Sequence, residues 1–283
     1  MDLASPGVEI VSVDSMQVYR GMDIGTAKPS ATDRVAVPHH MIDVADSTED
    51  FSVAQFQSMG RRALGSVAGS PLVVGGSGLH LRALIDPLEF PPTDAIVRTE
   101  LESLETDELR TRLLELDPEA GDTVDLANRR RVIRALEIAR LVGETPTARK
   151  AGPSAKAVAD YESIYPTAIF GIDPGDALET RIAERVDQML GAGWAVEAAA
   201  LRGRLSRTAG AAIGYRELIG VADGETDLAT ARDAIVSATI AFAKRQRTFF
   251  RRDPRVRWLP WLSSHDDRVA AAAAAFEEAG WSS

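Results

Sequence analysis

An aspartate closes the first strand-like run of this 283-residue chain. Glu9-Ile-Val-Ser-Val13 is short and β-branched, which predicts a buried strand, and Asp14-Ser15-Met16-Gln17 follows it. In parallel α/β sheets reactive groups stand beyond the carboxyl ends of strands, where a rigid strand would let the Asp14 carboxylate act as a base. For an isolated Val-Asp-Ser, a cap on the next turn is the commoner role. Farther on, Gly75-Gly-Ser-Gly78 follows a second apolar run, Pro71-Leu-Val-Val74, which reads as a buried strand, and would allow backbone to approach a substrate closely. Two stretches are strongly basic. One is Arg129-Arg-Arg131 with Arg134; the other has seven cations between Lys244 and Arg257 against the single acid Asp253. On a chain of net charge −10 they point to a focused anionic partner rather than a nonspecific nucleic-acid coat. A solvated helix face paired with nearby acids is the ordinary alternative.

The elements that must position these residues alternate. A strand, a loop rich in Gly, Thr, Lys and Pro (residues 21–38) and a short strand at Met41–Val44 come first. A helix capped by Ser52, the strand at 71–74 and a helix over Leu79–Leu84 follow. This order predicts an α/β fold with a parallel sheet and helices on both faces. Phe90-Pro-Pro-Thr-Asp94 breaks the pattern and charged helical segments follow, so a helical insertion is expected over 90–165, between core parts 1–89 and 166–283. Residues 150–160 read as a flexible stretch, Ala168–Ile172 as a return to the sheet and Val256–Leu259 as a final strand. Hydrophobic content of 45% and charged content of 26% are those of a globular protein. The absence of cysteine removes disulfide and thiolate chemistry and fits a cytoplasmic location. No secretion signal or bilayer-spanning run is visible, so no membrane partner is expected. His39-His40 is not read as a metal site, because no spaced ligand set completes it.

The motifs fall in one order: Asp14-Ser-Met-Gln-Val-Tyr-Arg20, Asp23-Ile-Gly-Thr-Ala-Lys-Pro29, Pro38-His-His-Met-Ile-Asp43, Phe51-Ser-Val-Ala-Gln-Phe56, Val74-Gly-Gly-Ser-Gly-Leu79, Arg130-Arg-Val-Ile-Arg-Ala-Leu-Glu137, Ala212-Ile-Gly-Tyr-Arg-Glu217 and Ala243-Lys-Arg-Gln-Arg-Thr-Phe-Phe-Arg251. Together they resemble the tRNA dimethylallyltransferase family, over almost the whole chain. The resemblance implies a sheet of the P-loop nucleoside triphosphate hydrolase type. It also implies transfer of a dimethylallyl group from dimethylallyl diphosphate to N6 of adenosine 37 in the tRNA anticodon loop, giving N6-isopentenyladenosine, with Mg2+ as cofactor. Members of that family begin with a Gly-x-Thr-x-x-Gly-Lys-Ser/Thr phosphate loop, which this sequence does not contain; Asp2-Leu-Ala4 reads as the tail of the helix that would follow it. A start placed too far downstream, a trimmed chain or a degenerate relative would each account for this. The intactness of the other motifs favours the first.

The resemblance assigns residues to roles. Asp14 is the expected base for the adenine amine. Arg216 is the expected ligand for the departing diphosphate, because a guanidinium grips two oxygens at once; a salt bridge with Glu217 is the alternative. Lys28 and Ser77 are expected substrate contacts. Asp14, Ser15, Met16 and Gln17 are expected beside the target base. Arg130, Arg131, Val132, Ile133 and Arg134 would meet tRNA from the insertion, and Lys244, Arg245, Gln246, Arg247, Thr248 and Phe249 from the core. Phe249 and Phe250 could stack on bases, with at least one of them expected in the core. The metal ligands are left open and a monomer is expected. Two other functions fit the same residues: a catalytically inactive tRNA-binding remnant without the phosphate loop, and an adenylate prenyltransferase. The helical insertion and the basic clusters favour tRNA over a free nucleotide.

Overall fold

The computed structural model describes residues 8–69 and 71–280. The reading of Asp2-Leu-Ala4 therefore lies outside the described residues. In chain order the elements are β1 (Glu9–Val13), α1 (Ala31–Ala36), β2 (His39–His40), α2 (Val53–Ser66), β3 (Pro71–Gly75) and α3 (Gly78–Ile85). Then come α4 (Ala95–Glu102), α5 (Thr106–Leu116), α6 (Arg129–Val142), α7 (Pro146–Ala151) and α8 (Pro153–Ala159). The chain continues through β4 (Ile169–Ile172), α9 (Leu178–Gly191), α10 (Trp194–Ala200), α11 (Tyr215–Ala222), α12 (Leu228–Arg251), β5 (Val256–Leu259) and α13 (His265–Glu278). It divides into two compact units, one holding residues up to Ile85 and from Pro166 onward, the other Asp86–Tyr165. No described helix is long and apolar enough to cross a membrane.

In the larger unit β1 lies between β2 and β3, and both pairings are parallel. The register sets Val13 opposite Gly75, so both strands end at the same level. Val11, Val13, Phe56, Leu84, Trp194, Tyr215, Leu218 and Ile235 belong to one buried core. Ser52 caps α2, as its position before an amphipathic run predicts, by accepting from the Gln55 amide while the Gln55 side chain accepts in return. Three expectations change. The strand near residue 41 is His39–His40, because Met41 and Asp43 take left-handed backbone with φ of 64° and 57°. β3 is not buried: it forms one edge of this sheet among the described residues, with Val74 48% exposed. β4 does not rejoin β1 but pairs in parallel with β5 in a separate two-stranded sheet.

The smaller unit is helical. Its core is made of Leu109, Leu113, Ala120, Val132, Ile133, Ala135 and Leu136 from α5, α6 and the turn between them, with Val97 and Leu101 of α4. The stretch at 150–160, expected to be flexible, folds into α7 and α8, each with proline in its first turn. Glu137 is fully buried here. It accepts from Arg98 at 2.7 Å, Arg134 at 2.6 Å and the Asp94 backbone N–H at 3.0 Å. Burial alone would raise its pKa, but the Arg134 and Arg98 hydrogen bonds outweigh it and hold the carboxyl below its ordinary value. The charge therefore stabilises the unit above the unfolded carboxyl pKa of about 4.3, and that stabilisation is lost as pH falls through the lower folded value. Glu137→Gln should destabilise this unit by about 3 kcal/mol, because two guanidiniums lose their counter-charge. Hydrogen exchange over residues 94–142 of the full chain checks both effects: earlier loss of protection in the variant, and acid loss of protection in the unsubstituted chain.

Candidate active site

β1 delivers Asp14 to the rim of the sheet. The carboxylate is half-buried, and its Oδ1 accepts the backbone N–H of Met16 at 2.8 Å and of Gln17 at 3.2 Å. Among the described residues Oδ2 accepts nothing from the protein. The capping role and the base role thus occupy different oxygens of one side chain. The glycine loop after β3 runs alongside. The Ser15 N–H donates to Ser77 Oγ at 3.3 Å and the Ser77 N–H to the Val13 carbonyl at 3.4 Å. A Cβ on Gly75 would sit 2.1 Å from the Val13 carbonyl oxygen, so only glycine permits this approach. Gln246 Nε2 donates to the Gly76 carbonyl at 2.8 Å, and the Phe249 ring packs on Gly78. The Asp14 turn, the Ser77 loop and the second half of α12 therefore meet in one place.

His80 also belongs to this cluster, and the sequence offered no signal for it. It lies in α3 three residues after Ser77, with its ring edge-on to Phe56 at 4.8 Å. Burial lowers its pKa, opposed by the nearby Asp14 charge. The imidazole is thus biased to the neutral state beside the carboxylate.

Several expected site residues have other work. The Gln17 amide is saturated: Oε1 accepts from Ser12 Oγ at 2.9 Å, and Nε2 donates to the carbonyls of Thr26 at 3.1 Å and Ala27 at 3.3 Å. It therefore braces a loop rather than reading a base edge. Met16 packs against the core. Lys28, expected to bind substrate, is 2% exposed at its side chain, and its ammonium donates to Asp23 at 2.8 Å, Asp43 at 2.6 Å and the Tyr19 carbonyl. An ammonium has three protons, so none is left for a ligand. Arg216 remains in solvent, with an 88% exposed side chain and only a loose 3.8 Å contact to Glu217.

Among the described residues no group of three histidine or carboxylate side chains converges to hold a metal ion. Mg2+ usually takes one or two carboxylates and fills the rest of its shell with water and substrate phosphates, so a three-residue protein cage is not required of this site.

The pattern of the family described as IPP transferase matches residues 17–253. The chain belongs to the IPP transferase family. It is 43% identical over 264 residues to the tRNA dimethylallyltransferase of Parafrankia sp. (strain EAN1pec), covering 89% of this chain and 80% of that protein. A second tRNA dimethylallyltransferase, from Streptomyces coelicolor, is also 43% identical, over 89% of this chain and 82% of its own length. The crystal structure of the full-length tRNA isopentenylpyrophosphate transferase from Bacillus halodurans superposes with a TM-score of 0.65 at 36% identity, covering 96% of this chain and 89% of that one. A eukaryotic dimethylallyltransferase acting on tRNA shares the fold, with a TM-score of 0.74 at 22% identity over 95% of this chain and 73% of its own. The parallel α/β architecture of P-loop type is thus the fold of the family.

The two basic stretches of this chain divide sharply. In α6 Val132 and Ile133 are buried at 0% and 6% exposure, so their side chains serve the helical core and cannot touch RNA. Arg134 is drawn inward to Glu137 and to the carbonyls of Pro91 and Pro92. Arg129 likewise holds the carbonyls of Glu102 and Leu104. Only Arg130 and Arg131 face solvent, the latter 3.8 Å from Asp125. In α12 and beyond, Lys244 pairs with Glu179, Arg247 and Arg251 with Asp173, Arg255 with Asp253, and Arg257 with Glu278. Gln246 is committed to the glycine loop and the Thr248 hydroxyl to the Lys244 carbonyl. Arg245 and Arg252 have no acid partner among the described residues, and they line an open groove with Lys244, Thr248 and Phe249. Phe249 is 37% exposed there, and Phe250 is half-buried against it at 5.5 Å.

Sequence reasoning also missed Glu197 of α10, which accepts the Asp23, Ile24 and Gly25 backbone N–H groups, and the Tyr215 hydroxyl of α11, which donates to Glu197. Neither spacing nor composition signals them, because the two helices meet the loop only in the fold. The Lys28 assignment is directly testable. Lys28→Met should cost about 2 kcal/mol of stability in urea unfolding through lost charged hydrogen bonds, with the KM for prenyl diphosphate unchanged. A raised KM with stability intact would return the lysine to the substrate.

Proposed function

We propose that this chain transfers a dimethylallyl group from dimethylallyl diphosphate to N6 of adenosine 37 in the tRNA anticodon loop. Its 43% identity to tRNA dimethylallyltransferases supports the reaction class. The observation that carries the assignment of the base is the split use of Asp14: Oδ1 is committed to its own turn while Oδ2 has no partner among the described residues.

The adenine amine is a weak nucleophile because its lone pair is delocalised into the ring. As N6 attacks the allylic carbon, the N–C bond forms, the C–O bond to diphosphate breaks, and the N6 proton passes to Asp14 Oδ2. A base so held lowers the barrier enough for about 10²–10⁴ in rate. The electron pair leaves on the diphosphate, for which the exposed Arg216 guanidinium is the proposed ligand. When bound, Mg2+ would neutralise charge on that leaving group.

A base in a single-stranded loop can leave its stack at modest cost. Ser15 and Ser77 flank Asp14 and offer hydroxyls to it. Arg245, Phe249 and Arg252 offer the cations and aromatic face that suit an RNA strand, and Arg130 and Arg131 offer phosphate contacts on the helical unit.

The test is product analysis with dimethylallyl diphosphate and an anticodon stem-loop. Isopentenyladenosine is expected from the unsubstituted chain. Asp14→Ala should lose about 10²–10⁴ in kcat while tRNA affinity holds. Loss of affinity with kcat retained would assign Asp14 to binding.

A further inference from the structure

Glu197 accepts four hydrogen bonds. Its Oε2 takes the backbone N–H groups of Asp23 at 2.9 Å and Ile24 at 2.8 Å; its Oε1 takes that of Gly25 at 3.1 Å and the Tyr215 hydroxyl at 2.7 Å. Three successive amides closing on one carboxylate form an anion nest whose occupant is the protein's own side chain. Burial and the Glu197 charge push the Tyr215 hydroxyl far above an ordinary phenol, so it remains a donor. The fit admits no slack. A Cβ on Gly25 would lie 2.1 Å from Trp194 Nε1 and 2.7 Å from the Tyr215 hydroxyl.

The residues just beyond the nest carry strain. Ala27 takes φ of 49°, a left-handed conformation that a residue with a Cβ rarely adopts. The carbonyls of Thr26 and Ala27 are the ones that receive the Gln17 amide. Gln17 in turn is the residue whose backbone N–H, with that of Met16, closes on Asp14 Oδ1. A continuous chain of directional bonds thus runs from α10 to the carboxylate at the end of β1, through a segment that would not hold its conformation alone.

We propose that Glu197 is a positioning residue for the transfer reaction: by clamping the Asp23–Ala27 loop it fixes the Gln17 amide, and so keeps one Asp14 oxygen tied into its turn and the other presented to substrate. This rests on Asp14 being the base. Lys28 is no independent control, because the Asp43 it holds donates its backbone N–H to the Gln17 carbonyl at 3.1 Å. Ile235, fully buried in the same core, serves as the control for a merely structural role.

The experiment compares Glu197→Gln, Gln17→Ala, the double variant and Ile235→Val in the full chain. One readout is amide hydrogen exchange at Met16 and Gln17 by NMR; the other is the single-turnover transfer rate. Glu197→Gln places an amide NH2 against backbone donors. It should speed exchange at Met16 and Gln17 by about tenfold or more while Val11 and Val13 keep their protection. It should slow transfer by about 10–10²-fold with KM for tRNA unaltered. The double variant should be no slower than the slower single, since both break one chain of contacts. Tyr215→Phe removes one of the four donors and should move both readouts the same way by less, which keeps the test open if the glutamine variant does not fold. Ile235→Val should lower stability without selective exchange at Met16 and Gln17. Unchanged exchange at those two amides, or multiplicative rate losses, would overturn the proposal. Exchange needs no turnover: a chain that transferred no prenyl group would sink the assigned reaction, and the amides would still decide the positioning role.

Discussion

The parallel pairing of Val13 with Gly75 is the constraint on which the rest of the site depends. Because the two strands end level, the turn beginning at Asp14 and the loop containing Ser77 emerge side by side. A hydroxyl of one then takes an amide of the other. Any side chain at position 75 would collide with the Val13 carbonyl and part the strand ends. The same close approach brings the loop against Gln246 and Phe249 of α12, so a helix distant in sequence joins the rim. The chemistry at Oδ2 is thus a consequence of register, and the hydrogen bonds at Oδ1 keep it from swinging away.

Charge in this protein is mostly spoken for. Glu137, Asp173 and Asp43 each hold two cations, and burial of each carboxylate is outweighed by those partners. What is left over is informative. Arg245 and Arg252 lie on one groove with an exposed aromatic, and Arg130 and Arg131 lie on the outer side of α6. An acidic protein thereby keeps a few exposed, loosely held cations for a polyanion instead of a broadly basic surface, which gives contact without indiscriminate attraction.

Much of this was legible in the sequence, and the failures follow a pattern. Periodicity located the helices and a capping residue marked one of them, Ser52 before α2; Asp94, Asn128 and Asp227 cap their helices in the same way, a signal the sequence reading did not use. Asp14, Ser77 and the glycine loop stood out because strand ends and glycines carry local rules. Lys28 and Gln17 were assigned to ligands because their types suit ligands, but their partners, Asp43 and the Thr26 and Ala27 carbonyls, are set by backbone turns with positive φ that no local pattern announces. Val132 and Ile133 were swept in with their arginine neighbours, although a 3.6-residue period turns them to the opposite face. Glu197 and His80 needed the tertiary fold.

The central claim is that Asp14 Oδ2 receives the proton from the adenine amine. The most direct measurement is the single-turnover transfer rate as a function of pH for the chain and for Asp14→Asn, with both substrates saturating. The account requires the rate of the unsubstituted chain to fall in proportion to proton concentration on the acid side of one ionisation, and the residual rate of the asparagine variant to lose that limb. An identical acid limb in both proteins would place the base elsewhere and contradict the account.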